Sequence, residues 1–188
     1  MANTVKYGLK NVYYAVATLG TSGAYTYTAP VAWPGAVNLS LDAEGDVTKF
    51  RADNVDYWVG QSNNGYSGSL ESALVPDSFK KDVLGYFEDA GGMLVEDAAA
   101  SAKPFALLFQ FEGDDKATRH VMYRCTASRP SVSGQTTDAS IEPQTESVDI
   151  TASSIPVIGK DVVKASALES STNYSSWFTT VQLPTATT

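Results

Sequence analysis

The chain has 188 residues, enough for one domain with a substantial core. Its 43% hydrophobic and 18% charged composition, with ten tyrosines, is not that of a disordered chain. A formal net charge of −8 with no Lys/Arg cluster argues against a general nucleic-acid binder, and the lone Cys125 excludes an intrachain disulfide.

No apolar run approaches the ~20 residues of a membrane span, so no membrane contact is expected. Residues 1–7 lack a basic region followed by an apolar core, so no signal peptide is expected, and a reducing compartment fits. Asn11 to Thr18 reads as a first strand. Residues 19–35 (LGTSGAYTYTAPVAWPG) form a long connection rich in turn formers that carries Tyr25, Tyr27 and Trp33. Loops of this length are uncommon and often functional. Two readings stand: a loop folded back on its own domain, or a contact arm for another subunit, since exposed aromatics favour interfaces.

Residues 36–87 carry the clearest pattern. Val37, Leu39 and Leu41 alternate with polar residues, the mark of a half-buried strand. Ala43 to Asp46 is expected to turn, and Lys49 to Ala52 to return. Val55, Tyr57 and Val59 alternate again, and Asn63-Asn64-Gly65 is a strong hairpin signal. Tyr66, Leu70 and Leu74 are expected on the next return face. Asp77 is expected to cap a helix carrying Phe79, Val83, Tyr86 and Phe87 on one face, stopped by Gly91-Gly92. The pattern predicts two hairpins feeding one amphipathic helix that covers a sheet face.

Further on, Phe105, Leu107, Phe109 and Phe111 are expected on one strand face. Gly113-Asp114-Asp115 turns the chain, and Val121, Tyr123 and Cys125 return together on the partner strand. Residues 128–147 read as a polar loop, Val148 and Ile150 as a strand, and 153–164 as holding a further turn. The aromatic stretch Tyr174 to Val181 is expected to pack on the body, with a frayed tail at 185–188.

Support for catalysis is weak. The single histidine, His120, lies mid-strand without a nucleophile motif, and Cys125 has no partner at metal spacing. Asp42-x-Glu44-x-Asp46 imitates the start of a calcium loop, but Val47 stands where Gly is needed and Asp53 where a Glu is needed, so a hairpin tip is the better reading. No enzyme activity, cofactor or metal is expected.

The order of elements, the start Val5, Tyr7, Gly8, Leu9, Lys10, Asn11, Val12, Tyr13, Tyr14, the segment Glu142-Pro143-Gln144-Thr145-Glu146 and the ending Tyr174-x-x-Trp177-Phe178 together resemble the major tail (tail tube) proteins of long flexible-tailed bacteriophages. The resemblance spans nearly the whole chain. It implies a mainly β fold: an antiparallel β-sandwich or barrel flanked by an α-helix, over one domain (1–188) with a long connecting loop (19–35) and a short C-terminal tail. It implies homo-hexameric rings stacked into a tube, with a tape measure protein and a tail terminator as partners. It further implies that DNA passes through the lumen without specific binding, and that the protein is assembled in the host cytoplasm into the virion tail. By order and length the family's assembly loop falls on 19–35, which makes Tyr25, Tyr27, Trp33 and Pro34 inter-subunit candidates. Asp42, Asp53, Asp56 and Glu71 are the lumen candidates, since an acidic wall repels phosphate. The alternatives are a secretion-system tube, a tail terminator, or a receptor- or glycan-binding β domain of a baseplate.

Overall fold

Strand β1 (Leu9–Leu19) buries side chains on both of its faces: Val12 and Tyr14 on one, Ala15 with half-buried Tyr13 on the other. A computed structural model of the chain describes residues 7–113, 117–132, 134–136 and 143–185. Val5 of the opening motif, Asp114 and Asp115 of the expected turn, Glu142, and 186–188 of the expected tail lie outside the described residues. After β1 come β2 (Tyr25–Tyr27), β3 (Val31–Ala32), β4 (Ala36–Glu44), β5 (Val47–Ala52), β6 (Val55–Gln61) and β7 (Gly65–Ser72). The helix α1 (Asp77–Asp82) follows, then β8 (Phe87–Glu88), β9 (Leu94–Val95), β10 (Phe105–Phe111) and β11 (Arg119–Ala127). The chain continues with β12 (Glu146–Ser153), β13 (Ile155–Val157), β14 (Lys160–Val162) and β15 (Lys164–Ala167).

The fold is mainly antiparallel β with one short helix. One sheet follows the path β2-β1-β10-β11-β12-β7-β4, with β3 added to β1 and β15 to β11. Trp33 donates its backbone N–H to the Val12 carbonyl at 2.8 Å, and Ala73 donates to Gly35 at 2.8 Å. These bonds draw β4 back beside β1, so the sheet curls around its larger core.

That core is aromatic. Phe79 of α1 meets Tyr14 edge-on at 5.2 Å, Phe105 edge-on at 5.2 Å and Trp33 at 4.4 Å. Such pairs add roughly 0.5–1.5 kcal/mol each beyond burial alone. Tyr14 also donates its hydroxyl to Asp82 at 2.9 Å, which ties β1 to the helix. The second core lies on the opposite face of β1, β10 and β11. There Ala15, Ala106, Leu108, Val121 and Tyr123 are covered by β13, β14 and the C-terminal segment, whose Trp177 and Val181 are buried.

The expected alternation holds in β10: Phe105, Leu107 and Phe109 face the first core, Ala106 and Leu108 the second. It breaks in β11. Phe105 pairs with Cys125 but Leu107 pairs with Met122, so an extra β11 residue sits opposite β10. This bulge turns Cys125 into the first core while Val121 and Tyr123 stay in the second, against the expectation that all three share a face.

Three further expectations are corrected. Asp77 does not cap the helix: Pro76 occupies the cap position, and Asp77 sits in the first turn, where its charge suits the helix dipole. The helix ends at Val83 because Gly85 takes φ +80, well before Gly91-Gly92, which turn β8 into β9; Phe87 is then an exposed strand residue. Leu74 is exposed beyond the end of β7, while Tyr66 and Leu70 pack on the core.

Replacing Phe79 with Ala removes the ring shared by three aromatic partners, so a loss of about 3–5 kcal/mol is expected in denaturant unfolding. Burial also pushes the Cys125 thiol and the Tyr14 and Tyr123 phenols up to about 12. In the unfolded chain such groups ionise at roughly 8.5 to 10. A folded value above the unfolded one means the stabilisation is whole below the unfolded pKa and is lost as pH climbs towards the folded one. Stability measured by denaturant titration should therefore fall steadily above about pH 9. At about pH 8.5 an alkylating reagent should modify Cys125 only as fast as the chain unfolds; rapid labelling of folded protein would contradict this burial.

Candidate assembly site

Strands β4 to β7 form one long hairpin rather than two. β4 pairs with β7 as far as Glu44↔Gly65, and β5 pairs with β6 from Val47↔Gln61 to Ala52↔Val55. The expected turn at Ala43 to Asp46 and the expected turn at Asn63-Asn64-Gly65 lie opposite each other and make a joint halfway along. Across it, Ser62 N–H donates to the Asp46 carbonyl at 3.0 Å and Asn64 N–H to the Glu44 carbonyl at 2.9 Å. A Cβ on Gly45 would come within 2.2 Å of the Ser62 carbonyl oxygen, so the joint requires glycine there. The tip is at Asp53-Asn54, whose φ angles of 52° and 63° are those of a type I′ turn.

Beyond the joint the hairpin projects as an arm without a core. Val47, Phe50, Val55, Tyr57, Trp58 and Val59 are all exposed there, Tyr57 by 72%, Phe50 by 60% and Trp58 by 56%. Phe50 lies across from Trp58, and the Trp58 ring covers Gly60. Asp56 bridges Lys49 at 3.0 Å and Arg51 at 3.3 Å. Cross-strand pairs of this kind contribute roughly 0.2–1 kcal/mol each. A lone two-stranded ribbon is marginal in water. Exposed apolar side chains on both faces of so short a ribbon make it the candidate contact element.

Residues 19–35 fold back on their own chain. Trp33 is only 2% exposed, held between Tyr14 and Phe79. Tyr25 and Tyr27 are half-buried on the second core, and Tyr27 donates its hydroxyl to the Tyr123 carbonyl at 3.0 Å. Burial first, then neighbouring Tyr123 and Tyr25, raises the Tyr27 phenol far above its ordinary value. Pro34 alone of these four is exposed, on the rim of a shallow groove beside Leu9 to Tyr13.

The four carboxylates separate into two places. Asp53 and Asp56 are on the arm. Asp42 and Glu71 lie on β4 and β7, on the face turned away from Leu39 and Leu70. Asp149 of β12 shares that face, opposite Ser69. Strands β4, β7 and β12 together hold Asp42, Glu44, Glu71, Glu146 and Asp149 and neither Lys nor Arg. Glu146 is on the other, core-facing side with Val148 and Ile150, where it accepts the Val75 N–H at 2.7 Å. The rest of the face is Ser, Thr and Asn, such as Ser40, Ser147 and Thr151. The same face of β1, β10 and β11 is covered by the C-terminal segment; over β12, β7 and β4 it is bare among the described residues.

The apolar arm was missed from sequence because Val55, Tyr57 and Val59 read as one half-buried face. The available signal was Trp58 between them and Phe50 opposite: large apolar groups on both faces of a ribbon. His120 stacks on Phe109 at 5.1 Å, and Cys125 is fully buried. Among the described residues no group of three or more His, Cys, Asp or Glu side chains is placed to hold a metal, and no helix is long and apolar enough to cross a membrane.

No protein-family model and no curated protein matches the sequence. Among solved structures the chain is similar to one described as "Cryo-EM structure of the anti-feeding prophage cap (AFP tube terminating cap)". The two share 10% identity at a TM-score of 0.43, over 88% of this chain and 94% of that one. A likeness this loose carries no functional argument.

Excising 47–61 and closing the strands with Asn-Gly should leave the body folded, with its unfolding free energy changed by under about 1 kcal/mol, because the arm covers no core residue. Tyr27→Phe should lower stability by about 1 kcal/mol through the lost Tyr123 bond. Both are read by near-ultraviolet circular dichroism and denaturant titration. Collapse of the armless body would mean that the arm belongs to the fold.

Proposed function

We propose that this chain is a structural, self-assembling subunit of a phage-type tail. Six copies close into a ring, rings stack into a tube, and DNA passes through without specific binding. The observation that carries the reading is the arm: a ribbon on which six large apolar side chains are exposed to solvent. Such a ribbon is stable and soluble over time only when another molecule covers it. The resemblance of the opening and closing motifs to tail tube proteins supplies the ring number, the tape measure and terminator partners, and a place in the virion tail.

The bare acidic face of β4, β7 and β12 is the natural channel wall in this reading. DNA carries roughly one negative charge per 1.7 Å of axis. A wall of carboxylates and hydroxyls without cations repels it weakly, within the ~8–10 Å reach that salt allows. Asp42 and Glu71 fit this wall; Asp53 and Asp56 belong instead to the arm. A glycan-binding domain is disfavoured because two of the three tryptophans, Trp33 and Trp177, are buried and unable to stack on sugar.

Negative-stain images of concentrated protein test the reading directly. Stacked rings support it, single rings point to a terminator, and persistent monomers overturn it. Asp42→Lys with Asp149→Lys should leave the assembly intact but give tubes that retain duplex DNA at low salt, with affinity falling linearly in log–log against salt. Wild-type tubes that bind DNA as firmly would overturn the channel assignment.

A further inference from the structure

Below the joint of the hairpin the curled sheet opens into a pocket of about 390 Å³. Leu39, Leu41, Phe109, Phe111 and Met122 form its apolar wall, and Lys164 stands at its side. The Lys164 ammonium lies 4.5 Å from the centre of the Tyr66 ring and has no carboxylate partner among the described residues. None of the lining residues comes from the arm of the same chain, although Tyr66 lies both in this pocket and at the arm's root. The pocket is therefore a largely apolar site, lined also by His120, whose Lys164 stacks on Tyr66 and has no ion-pair partner among the described residues; it lies beside the place where the arm departs.

The arm tip has the complementary chemistry. Asp53 stands at the turn with no cation partner among the described residues, whereas Asp56 is neutralised by Lys49 and Arg51. Immediately behind the tip, Val55 and Tyr57 are exposed apolar side chains. A two-residue type I′ turn is narrow, and here its first residue, Asp53, carries a carboxylate.

We infer that the arm tip of one copy seats in this pocket of a second copy, with Asp53 on Lys164 and Val55 and Tyr57 against the Leu39–Phe109–Phe111 wall. The contact rests on the self-assembly reading and names the surface that receives the arm. In the isolated chain neither Asp53 nor Lys164 has an ion-pair partner among the described residues, and Val55 and Tyr57 stay in water. Joining them removes apolar surface from water on both sides and pairs two charges that have no ion-pair partner among the described residues. The two surfaces differ, so the contact is heterologous: each copy gives an arm and receives one.

Charge reversal tests the contact. Asp53→Lys and Lys164→Glu are both surface changes, and thermal unfolding should confirm that each variant folds as the wild type does. Each alone should raise the protein concentration for half-maximal association, read by analytical ultracentrifugation, about tenfold. The two reversals in one chain should bring it back to within about threefold of wild type. Single variants that associate normally, or a double variant no better than either single, would overturn the docking while leaving self-assembly standing. A wild-type chain that stays monomeric at every concentration would overturn both. A small molecule found bound in the pocket by native mass spectrometry, and released without loss of association, would also overturn it.

Discussion

The structure depends on burying β1, β10 and β11 on both faces at once. A strand with one covered face can meet water with the other and needs only alternation. These three strands cannot, because Tyr13 and Ala15 are as apolar as Val12 and Tyr14, and Ala106 and Leu108 as apolar as Phe105 and Leu107. Two separate covers are required. One is the helix with Trp33, the other the C-terminal segment with β13 and β14. The short helix is thus not an independent element: its six residues serve mainly to place Phe79 among Tyr14, Trp33 and Phe105. The C-terminal cover is fastened by polar contacts as well. Trp177 Nε1 donates to the His120 carbonyl at 3.3 Å, Tyr123 donates its hydroxyl to the Gln182 carbonyl at 2.8 Å, and the Arg119 guanidinium lies between the Tyr174 and Phe178 rings.

The covers also define what is left uncovered. The described C-terminal residues pack on β1, β10 and β11, and among the described residues β12, β7 and β4 continue the same sheet with one solvent-facing side. Their sequences change accordingly: apolar residues persist at Leu39, Leu70, Val148 and Ile150, but the alternate positions become Ser, Thr, Asn, Asp and Glu. A single sheet therefore passes from a doubly buried half to a half with one wet face. The acidic excess of the chain gathers on that wet half because nothing there compels a cation, and because a face that meets solvent tolerates like charges separated by hydroxyls.

Much of this was legible in the sequence. Mainly antiparallel β structure, one helix near Phe79, the packed Trp177 ending and the alternation of β10 all follow from periodicity, since burial and side-chain direction obey one rule along a regular strand. What was illegible has physical reasons. The β10–β11 bulge shifts Cys125 to the other face through backbone register, which no local pattern records. The loop at 19–35 has the composition of an exposed connection, yet its Trp33 is pulled inward by a core lying 46 residues further along, at Phe79. The arm was divided into two hairpins because Asn63-Asn64-Gly65 is strong turn chemistry. Pairing with Gly45-Asp46 uses that chemistry as a joint, and the weaker-looking Asp53-Asn54 makes the true turn.

The joint explains how one hairpin combines two opposed requirements. Its near half must be rigid, since Leu39, Leu41 and Leu70 belong to the core. Its far half is exposed, and exposed ribbons of Val, Phe, Tyr and Trp tend to pair edge to edge. Lys49, Arg51 and Asp56 oppose that. An arm laid edge-on against another of its kind must place a paired charge cluster against a second one, while its end can enter a pocket with the cluster left in water. The charges therefore favour insertion at the tip over lateral pairing along the ribbon. Insertion into a different surface of a neighbour propagates either around a closed ring or along an open stack. In the proposed assembly, the direction that the glycine-dependent joint gives the ribbon would decide which of the two results.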